Sequence, residues 1–196
     1  MGQRSQIFVR YEKADKKQLI ARYYQWNYGE RMISRIRYGI EWLREMWKYP
    51  WEVERKLYRI LDTNFDMIDC QISTDIIKEY DEEVSDCGCW SLNDYLFKYQ
   101  GNNDGKCFID ILSNGTIKYI FLNTTNEKYM NAKEYMEWDN GKDWDTPTEY
   151  MSQKTINVCK ENIKEIENMA IKMTDEEVKE FMESDYFYLL KNVPFH

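Results

Sequence analysis

Residues 106–122 read Lys-Cys-Phe-Ile-Asp-Ile-Leu-Ser-Asn-Gly-Thr-Ile-Lys-Tyr-Ile-Phe-Leu and give the strongest strand signal in the chain. Apolar residues dominate on both sides of Asn114-Gly115. Asn-Gly is favoured in tight hairpin turns because both residues tolerate positive φ. The pattern therefore predicts two antiparallel strands, 106–112 and 116–122, joined as a β-hairpin.

Helical periodicity surrounds this hairpin. From Glu30 to Tyr49, apolar residues recur every three or four positions, which predicts an amphipathic helix that Pro50 ends. Asp15 is expected to cap an earlier helix that starts near Lys16. Further helices are predicted over residues 51–61, 74–83 and 129–138, after the cap at Thr146-Pro147, and after the capping box at Thr174.

The N-terminal residues 4–11 predict one more strand. The expected class is therefore α+β: a predominantly helical single domain with an N-terminal strand and a central antiparallel β-hairpin. Because no linker rich in Gly, Pro or Ser divides the chain, we expect one domain over residues 1–196. Its basic helical part covers about 1–61, and its acidic hairpin-plus-helices part covers about 62–196.

Charge is distributed unevenly along the chain, whose net charge is −8. Residues 1–60 contain 14 Lys and Arg against 7 Asp and Glu, whereas residues 61–196 contain 13 Lys and 28 Asp and Glu. Every Arg lies at or before Arg59. This asymmetry indicates an anionic partner for one face. Alternatively, the Arg side chains pair with the acids of the chain itself.

Catalytic motifs are missing from the sequence. The single histidine is His196, at the C-terminus, and no Gly-rich phosphate loop is present. The sequence therefore predicts a non-enzymatic protein with no metal and no cofactor. Two alternatives stay open: catalysis by a pair of carboxylates, and zinc bound by Cys87 and Cys89 with Cys70 or Cys107.

The hydropathy of the chain indicates where in the cell the protein is expected. No apolar stretch is long enough to cross a bilayer, and residues 1–10 are too polar for a signal peptide. We therefore expect no membrane partner and a location in the cytoplasm, where the five irregularly spaced cysteines stay reduced.

A candidate binding segment lies at residues 22–31, where cations, aromatic rings and amides interleave. Aromatic rings stack on bases while guanidinium groups hold phosphate, so a nucleotide or RNA is the expected ligand. Alternatively, the rings pack on the core and the Arg side chains reach water. The candidate binding residues are Arg22, Tyr24, Trp26, Arg31 and Arg35.

Acidic side chains form a second candidate surface, which we expect to dock onto a basic groove of a partner protein. The alternative is an ordinary solvated acidic surface. The candidate acidic residues are Asp81, Glu82, Glu83, Asp86, Asp139, Asp143 and Asp145.

At Ser5–Tyr11 and Tyr23–Met32, the chain resembles small uncharacterised proteins of phages and prophages from AT-rich Gram-positive bacteria. The richness in Lys, Asn, Ile and Tyr fits that setting. The resemblance implies a counter-defence role inside the host cell, and anti-CRISPR proteins are similar in being small, acidic and without catalytic motifs.

The expected function is therefore that of a phage-encoded inhibitor that binds a host defence protein or ribonucleoprotein, with a CRISPR effector nuclease as the specific case. The alternative is a sponge-type protein that sequesters a nucleotide immune signal through the Arg and aromatic segment.

Overall fold

The structure is a computed structural model that describes residues 3–63, 73–84, 88–99, 104–123 and 128–186. The strands are β1 (Arg4–Lys13), β2 (Lys16–Gln25), β3 (Ser73–Asp75), β4 (Lys106–Ile111), β5 (Ile117–Leu122), β6 (Tyr129–Met130) and β7 (Ile171–Lys172). The helices are α1 (Gly29–Met46), α2 (Pro50–Leu61), α3 (Ile76–Glu79), α4 (Leu92–Asp94), α5 (Ala132–Asn140), α6 (Gln153–Met169) and α7 (Asp175–Glu183). Wide π-helical turns extend α3 over Tyr80–Val84 and α4 over Tyr95–Tyr99.

A mixed sheet forms the centre of the fold. In the described ranges it has seven strands in the order β3-β2-β1-β4-β5-β6, with β7 paired to β5. Strand β1 runs parallel to β4, and β7 runs parallel to β5, while the other pairs are antiparallel. The predicted α+β class, predominantly helical with one strand and one hairpin, is therefore wrong, because the protein is a mixed α/β fold. The central hairpin is confirmed as the pair β4 and β5.

The largest error of the sequence prediction lies at residues 16–25, which form β2 instead of a helix. Asp15 is not a helix cap: Ala14 and Asp15 both have positive φ and form the turn of a hairpin. Along β2, Leu19 and Ala21 lie on one side of the sheet and Tyr24 lies on the other. This period of two is that of a strand.

Strand β1 lies in the interior of the sheet. Ile7, Phe8 and Val9 are all completely buried, although their side chains alternate between the two sides. A continuous apolar run of this kind is typical of a strand covered on both faces. Two helical layers provide that cover, so the fold has three layers.

One layer consists of α1, α2, α5 and α6. It packs on a face of the sheet that includes Cys107, Ile109 and Ile111 of β4 and the facing residues of β5. The predicted apolar stripe of α1 is confirmed, since Ile33 and Ile40 are fully buried there together with Ile36 and Leu43.

The other layer consists of α3, α4 and α7, with the two π-helical turns. Its apolar residues cover Phe8 and Phe108, and the Phe108 ring stacks on Phe181 of α7 at a centroid distance of 4.6 Å. The prediction of a single domain over residues 1–196, basic at about 1–61 and acidic at about 62–196, stays a prediction.

Helix starts were predicted with mixed success. The capping box of Thr174 and Glu177 at α7 is confirmed. The cap predicted at Thr146-Pro147 is wrong, because α6 begins at Gln153 with Ser152 as its N-cap. Within the described ranges, no helix combines the length and apolar character that crossing a membrane requires.

Candidate functional site

Three of the five candidate binding residues lie inside the protein. Arg22 Nη2 is 2.6 Å from Asp62 Oδ2, and the Tyr24 hydroxyl donates to Asp62 Oδ1 at 3.2 Å. The Arg35 guanidinium lies 4.6 Å from the centre of the Tyr24 ring and donates to the carbonyl of Leu61 at the end of α2. A cation at this position also stabilises the negative end of the helix dipole.

Burial decides what these side chains can contact. Arg22, Tyr24 and Arg35 are 8%, 0% and 1% exposed. Their contacts join β2, α1 and the end of α2, so they hold these elements together. A role in ligand binding stays a prediction for them.

The other two candidates reach the surface. Trp26 is 47% exposed and its backbone lies in the left-handed region. Arg31 donates to the Trp26 carbonyl at 3.1 Å, and its guanidinium lies 5.3 Å from the Tyr28 ring. These contacts place one ring and one cation side by side at the loop before α1.

The predicted acidic residues do not form one patch. Asp81 and Glu82 lie on the π-helical turn after α3, whereas Asp139, Asp143 and Asp145 lie on and after α5, in the layer on the opposite face of the sheet. Asp86 and the side chain of Glu83 lie outside the described residues.

A different acidic surface exists in three dimensions. The elements α3, α4 and α7, with the two π-helical turns, carry ten Asp and Glu against three Lys. We call this side of the sheet the acidic layer. The elements α1, α2, α5 and α6 carry eleven Asp and Glu against eleven Lys and Arg. The helical elements on the two sides of the sheet therefore differ in charge, although Glu177 and Glu180 of the acidic layer pair with cations of the sheet.

Neighbouring contacts make the acidic layer continuous. The Asn93 side chain of α4 donates to the carbonyls of Met182 and Ser184 at the end of α7, at 3.1 and 3.2 Å. The Tyr95 hydroxyl donates to Glu79 of α3 at 2.9 Å. Exposed carboxylates of this layer include Glu82, Asp175, Glu176 and Glu183, and the exposed carboxylates of Asp75 and Asp185 lie directly before α3 and after α7.

Sequence reasoning missed the acidic residues of α7. The signal was present, because Asp175-Glu176-Glu177 opens a run that continues to Asp185 with one lysine. That run was interpreted only as a helix start. Its surface role becomes visible when α7 packs beside α3 and α4.

Burial of cations makes the exterior more acidic than the sequence. The described residues bury four cations and two carboxylates: Arg10, Arg22, Arg35, Lys106, Asp104 and Asp110. This set carries a charge of +2, so the net charge of −8 leaves −10 for the rest of the chain. For Arg10 and Arg22, the internal pairing that was the alternative interpretation is the one observed.

Asp139 lies in a cluster of carboxylates at the start of α1. Burial is the largest cause that raises its pKa, and the neighbouring charges of Asp104 and Glu30 add to it, whereas the backbone N–H of Gly29 donates to it and lowers it; the resulting pKa is about 7. Burial also raises the pKa of Asp104 and of Glu30. Asp139 is therefore a packed carboxylate that titrates near neutral pH.

The surface cavities of the described residues include charged side chains in their linings. One of about 450 Å³ lies between α5 and α6, where Lys160 pairs with Asp145 at 2.9 Å. Another, of about 250 Å³, lies at the carboxyl ends of the parallel strands β1 and β4. Such strand ends often bind ligands. Here, however, Arg10 makes two bonds to Asp110, at 2.7 and 2.6 Å, so its charge is compensated internally.

Metal binding was considered for the cysteines and acids. In the described part of the chain, no group of three His, Cys, Asp or Glu residues could hold a metal ion. Cys89 is exposed and Cys107 is buried in β4. Cys70, Cys87 and His196 lie outside the described residues.

Comparison with protein-family models, curated proteins and solved structures found no match to this chain. Functional inference therefore rests on the geometry and charge of the molecule itself.

Proposed function

We propose that this protein is a non-enzymatic inhibitor that acts in the host cytoplasm and binds a defence protein or ribonucleoprotein, as an anti-CRISPR protein does. The observation that carries the proposal is the acidic layer, whose elements hold ten Asp and Glu against three Lys. Glu177 and Glu180 pair with cations of the sheet, and Glu82, Asp175, Glu176 and Glu183 are exposed to solvent. A surface of this charge is complementary to a groove built to hold nucleic acid.

Electrostatic attraction between such surfaces acts mainly on the rate of encounter and on partner choice. Exposed carboxylates in water interact weakly at high ionic strength, since the screening length is about 8 Å in 0.15 M salt. Binding through the acidic layer is therefore expected to weaken steeply as salt rises.

The alternative, a sponge for a nucleotide signal, depends on the segment from Arg22 to Arg37. Arg22 and Arg35 are engaged with Asp62 and the end of α2, and Arg37 pairs with Glu41 and Glu165. The geometry gives more support to the acidic layer than to this segment.

The test measures binding to candidate CRISPR effector nucleases at 50 and 500 mM NaCl. The variant carries Glu176→Gln, Glu183→Gln and Asp185→Asn, all exposed on the acidic layer. We expect its Kd at low salt to rise at least tenfold, and the difference from the wild type to shrink at high salt.

A matched control removes three exposed carboxylates from the opposite layer by Glu45→Gln, Glu161→Gln and Glu167→Gln. This variant has the same net charge, and we expect its Kd to stay within twofold of the wild type. Equal weakening by both triple variants would contradict the proposed surface. No retention at any salt, together with no relief of DNA cleavage, would contradict the proposed function.

A further inference from the structure

The outer side of α2 presents aromatic rings to solvent. Val53, Leu57 and Leu61 point to the core and are buried, whereas Trp51 is 70% exposed and Tyr58 is 37% exposed. Large rings are costly to leave in water without a partner. Exposure of two on one helix therefore marks a contact surface.

Spacing places four side chains on one side of α2. Trp51, Arg55 and Tyr58 follow each other by steps of four and three, and Arg59 is turned about 100° from Tyr58, at the edge of the same side. We call them the α2 stripe. From Trp51 to Tyr58 the stripe extends about 10 Å along the axis, at 1.5 Å per residue. Rings and guanidinium groups alternate along it.

Each ring in the stripe has a cation beside it. Lys13 Nζ lies 3.5 Å from the centre of the Trp51 ring and covers one of its faces. Because Trp51 is 70% exposed, the opposite face of the ring is open to a planar ligand. The Arg59 guanidinium lies 5.6 Å from the Tyr58 ring and donates to its hydroxyl at 2.9 Å.

The guanidinium groups are held in place by local contacts. Arg55 meets Glu52 through Nη2, at 2.9 Å to each carboxylate oxygen, while its side chain stays 68% exposed. Residues 44–59 contain five cations and three carboxylates. The region is therefore locally basic in a protein whose net charge is negative.

We propose that the α2 stripe binds single-stranded nucleic acid, with bases stacked on Trp51 and Tyr58 and phosphates held by Arg55 and Arg59. Aromatic platforms beside cations are the usual means of holding unpaired strands without sequence preference. A purely apolar protein partner would take the two guanidinium groups out of water, which is costly for charged groups.

The acidic layer does not prevent this contact. It lies on the other face of the sheet, two packing distances of about 10 Å away, whereas charges are screened over about 8 Å at physiological salt. The inference concerns a surface separate from the acidic layer and does not depend on the proposed inhibitor function.

The experiment titrates the full chain against fluorescently labelled 12-nucleotide oligo(U) and oligo(dT), and reads anisotropy at 50 and 300 mM NaCl. We expect saturable binding to one or both strands. Trp51→Ala should weaken it at least fivefold, because stacking contributes about 1–3 kcal/mol per base. Trp51→Phe, which keeps a ring, should retain most of the affinity.

The double variant Arg55→Gln and Arg59→Gln should reduce the slope of log K against log salt by about 1.4, the value for two phosphate contacts on a single strand. Tyr150→Ala is the matched control, since Tyr150 is 90% exposed and lies outside the stripe. Its affinity should equal that of the wild type.

Three results would overturn the inference. The first is no anisotropy change with either strand at 50 mM NaCl, with circular dichroism showing that the protein is folded. The second is equal affinity of the wild type and Trp51→Ala. If sedimentation shows a dimer that Trp51→Ala dissociates, the stripe is covered by a second copy and the proposal is wrong. Binding of a basic effector through the acidic layer would be unaffected by any of these outcomes.

Discussion

Arg35 and Asp62 illustrate how single side chains join three elements of this protein. Arg35 Nε donates to Asn27 Oδ1 at 2.9 Å, and its guanidinium also reaches the Leu61 carbonyl. Asp62 accepts from Arg22 and Tyr24. Removing one partner would leave a buried charge or acceptor unsatisfied, which is strongly destabilising. We therefore regard this cluster as part of the framework.

Asp139→Asn is expected to stabilise the protein at neutral and alkaline pH. The pKa of Asp139 is raised to about 7 in the folded state, from an ordinary value of 3.8. Between these values the folded state binds more protons than the unfolded state, so the free energy of unfolding falls as pH rises and is constant above pH 7. The asparagine side chain of the variant carries no titrating group, so the variant's free energy of unfolding does not fall in this way as pH rises.

The gain above pH 7 is expected to be about 1–3 kcal/mol, because the full shift corresponds to about 4 kcal/mol and partial solvent access reduces it. Urea denaturation at pH 4.5, 6 and 8 measures it. Asp143→Asn removes a carboxylate at an exposed position and should reproduce the wild-type curve. A gain that is equal at all three pH values would show that the effect does not come from titration.

At the scale of elements, the hairpin of β4 and β5 depends on its turn. Gly115 has a φ of +84°, and a Cβ added there would overlap the indole ring of Trp47, the residue that caps the C-terminus of α1. The turn therefore fixes both the hairpin and the end of the helix that packs on it. The Asn114-Gly115 pair that predicts the turn is a local pattern, whereas the contact between Gly115 and Trp47 joins residues far apart in the chain.

Gly115→Ala is expected to lower the free energy of unfolding by about 2–3 kcal/mol. About 1–2 kcal/mol comes from the left-handed backbone, and the rest comes from displacing the Trp47 ring. Thermal or urea denaturation gives the value.

A Trp47→Ala background separates the two contributions. Without the ring, Gly115→Ala is expected to lose only about 1–2 kcal/mol, from the backbone alone. If Gly115→Ala loses the same amount with and without the ring, the Trp47 contact contributes nothing to the hairpin.

At the scale of the whole molecule, β1 and β4 lie side by side in the interior of the sheet. They pair in parallel over Gln6–Arg10 and Lys106–Asp110, and both strands are covered on both faces. Opening these strands therefore requires both helical layers to separate from the sheet. The stability of the fold is concentrated there.

Amide hydrogen exchange is expected to be slowest in the interior strands and faster in the short edge strands. The amides of Ile7–Val9 and Phe108–Ile109 should exchange most slowly, at rates set by global unfolding. The amides of β3 and β7, which are short and exposed at their residues Thr74 and Ile171, should exchange at least a hundredfold faster. Equal protection of β3 and β4 would contradict the proposed location of the stable core.

The candidate surfaces could be found only in part from the sequence. The acidity of the chain is visible in the sequence, and Glu82 is exposed. Asp81 and Glu82 lie on the opposite face of the sheet from Asp139, and a binding role for the acidic candidates stays a prediction. The α2 stripe was not predicted, since exposure of Trp51 cannot be distinguished from burial by its residue type.

Local features of this protein follow from the sequence alone: the Asn-Gly hairpin, the stripe of α1 and the cap at Thr174. These depend on neighbours within a few residues, so the local pattern contains the information. Only the tertiary structure decided that residues 16–25 form a strand, that Arg22 and Arg35 are internal, and that acids collect on one face. Each of these depends on pairing between segments distant in the chain, and the free energy of such pairing is not carried by either segment alone.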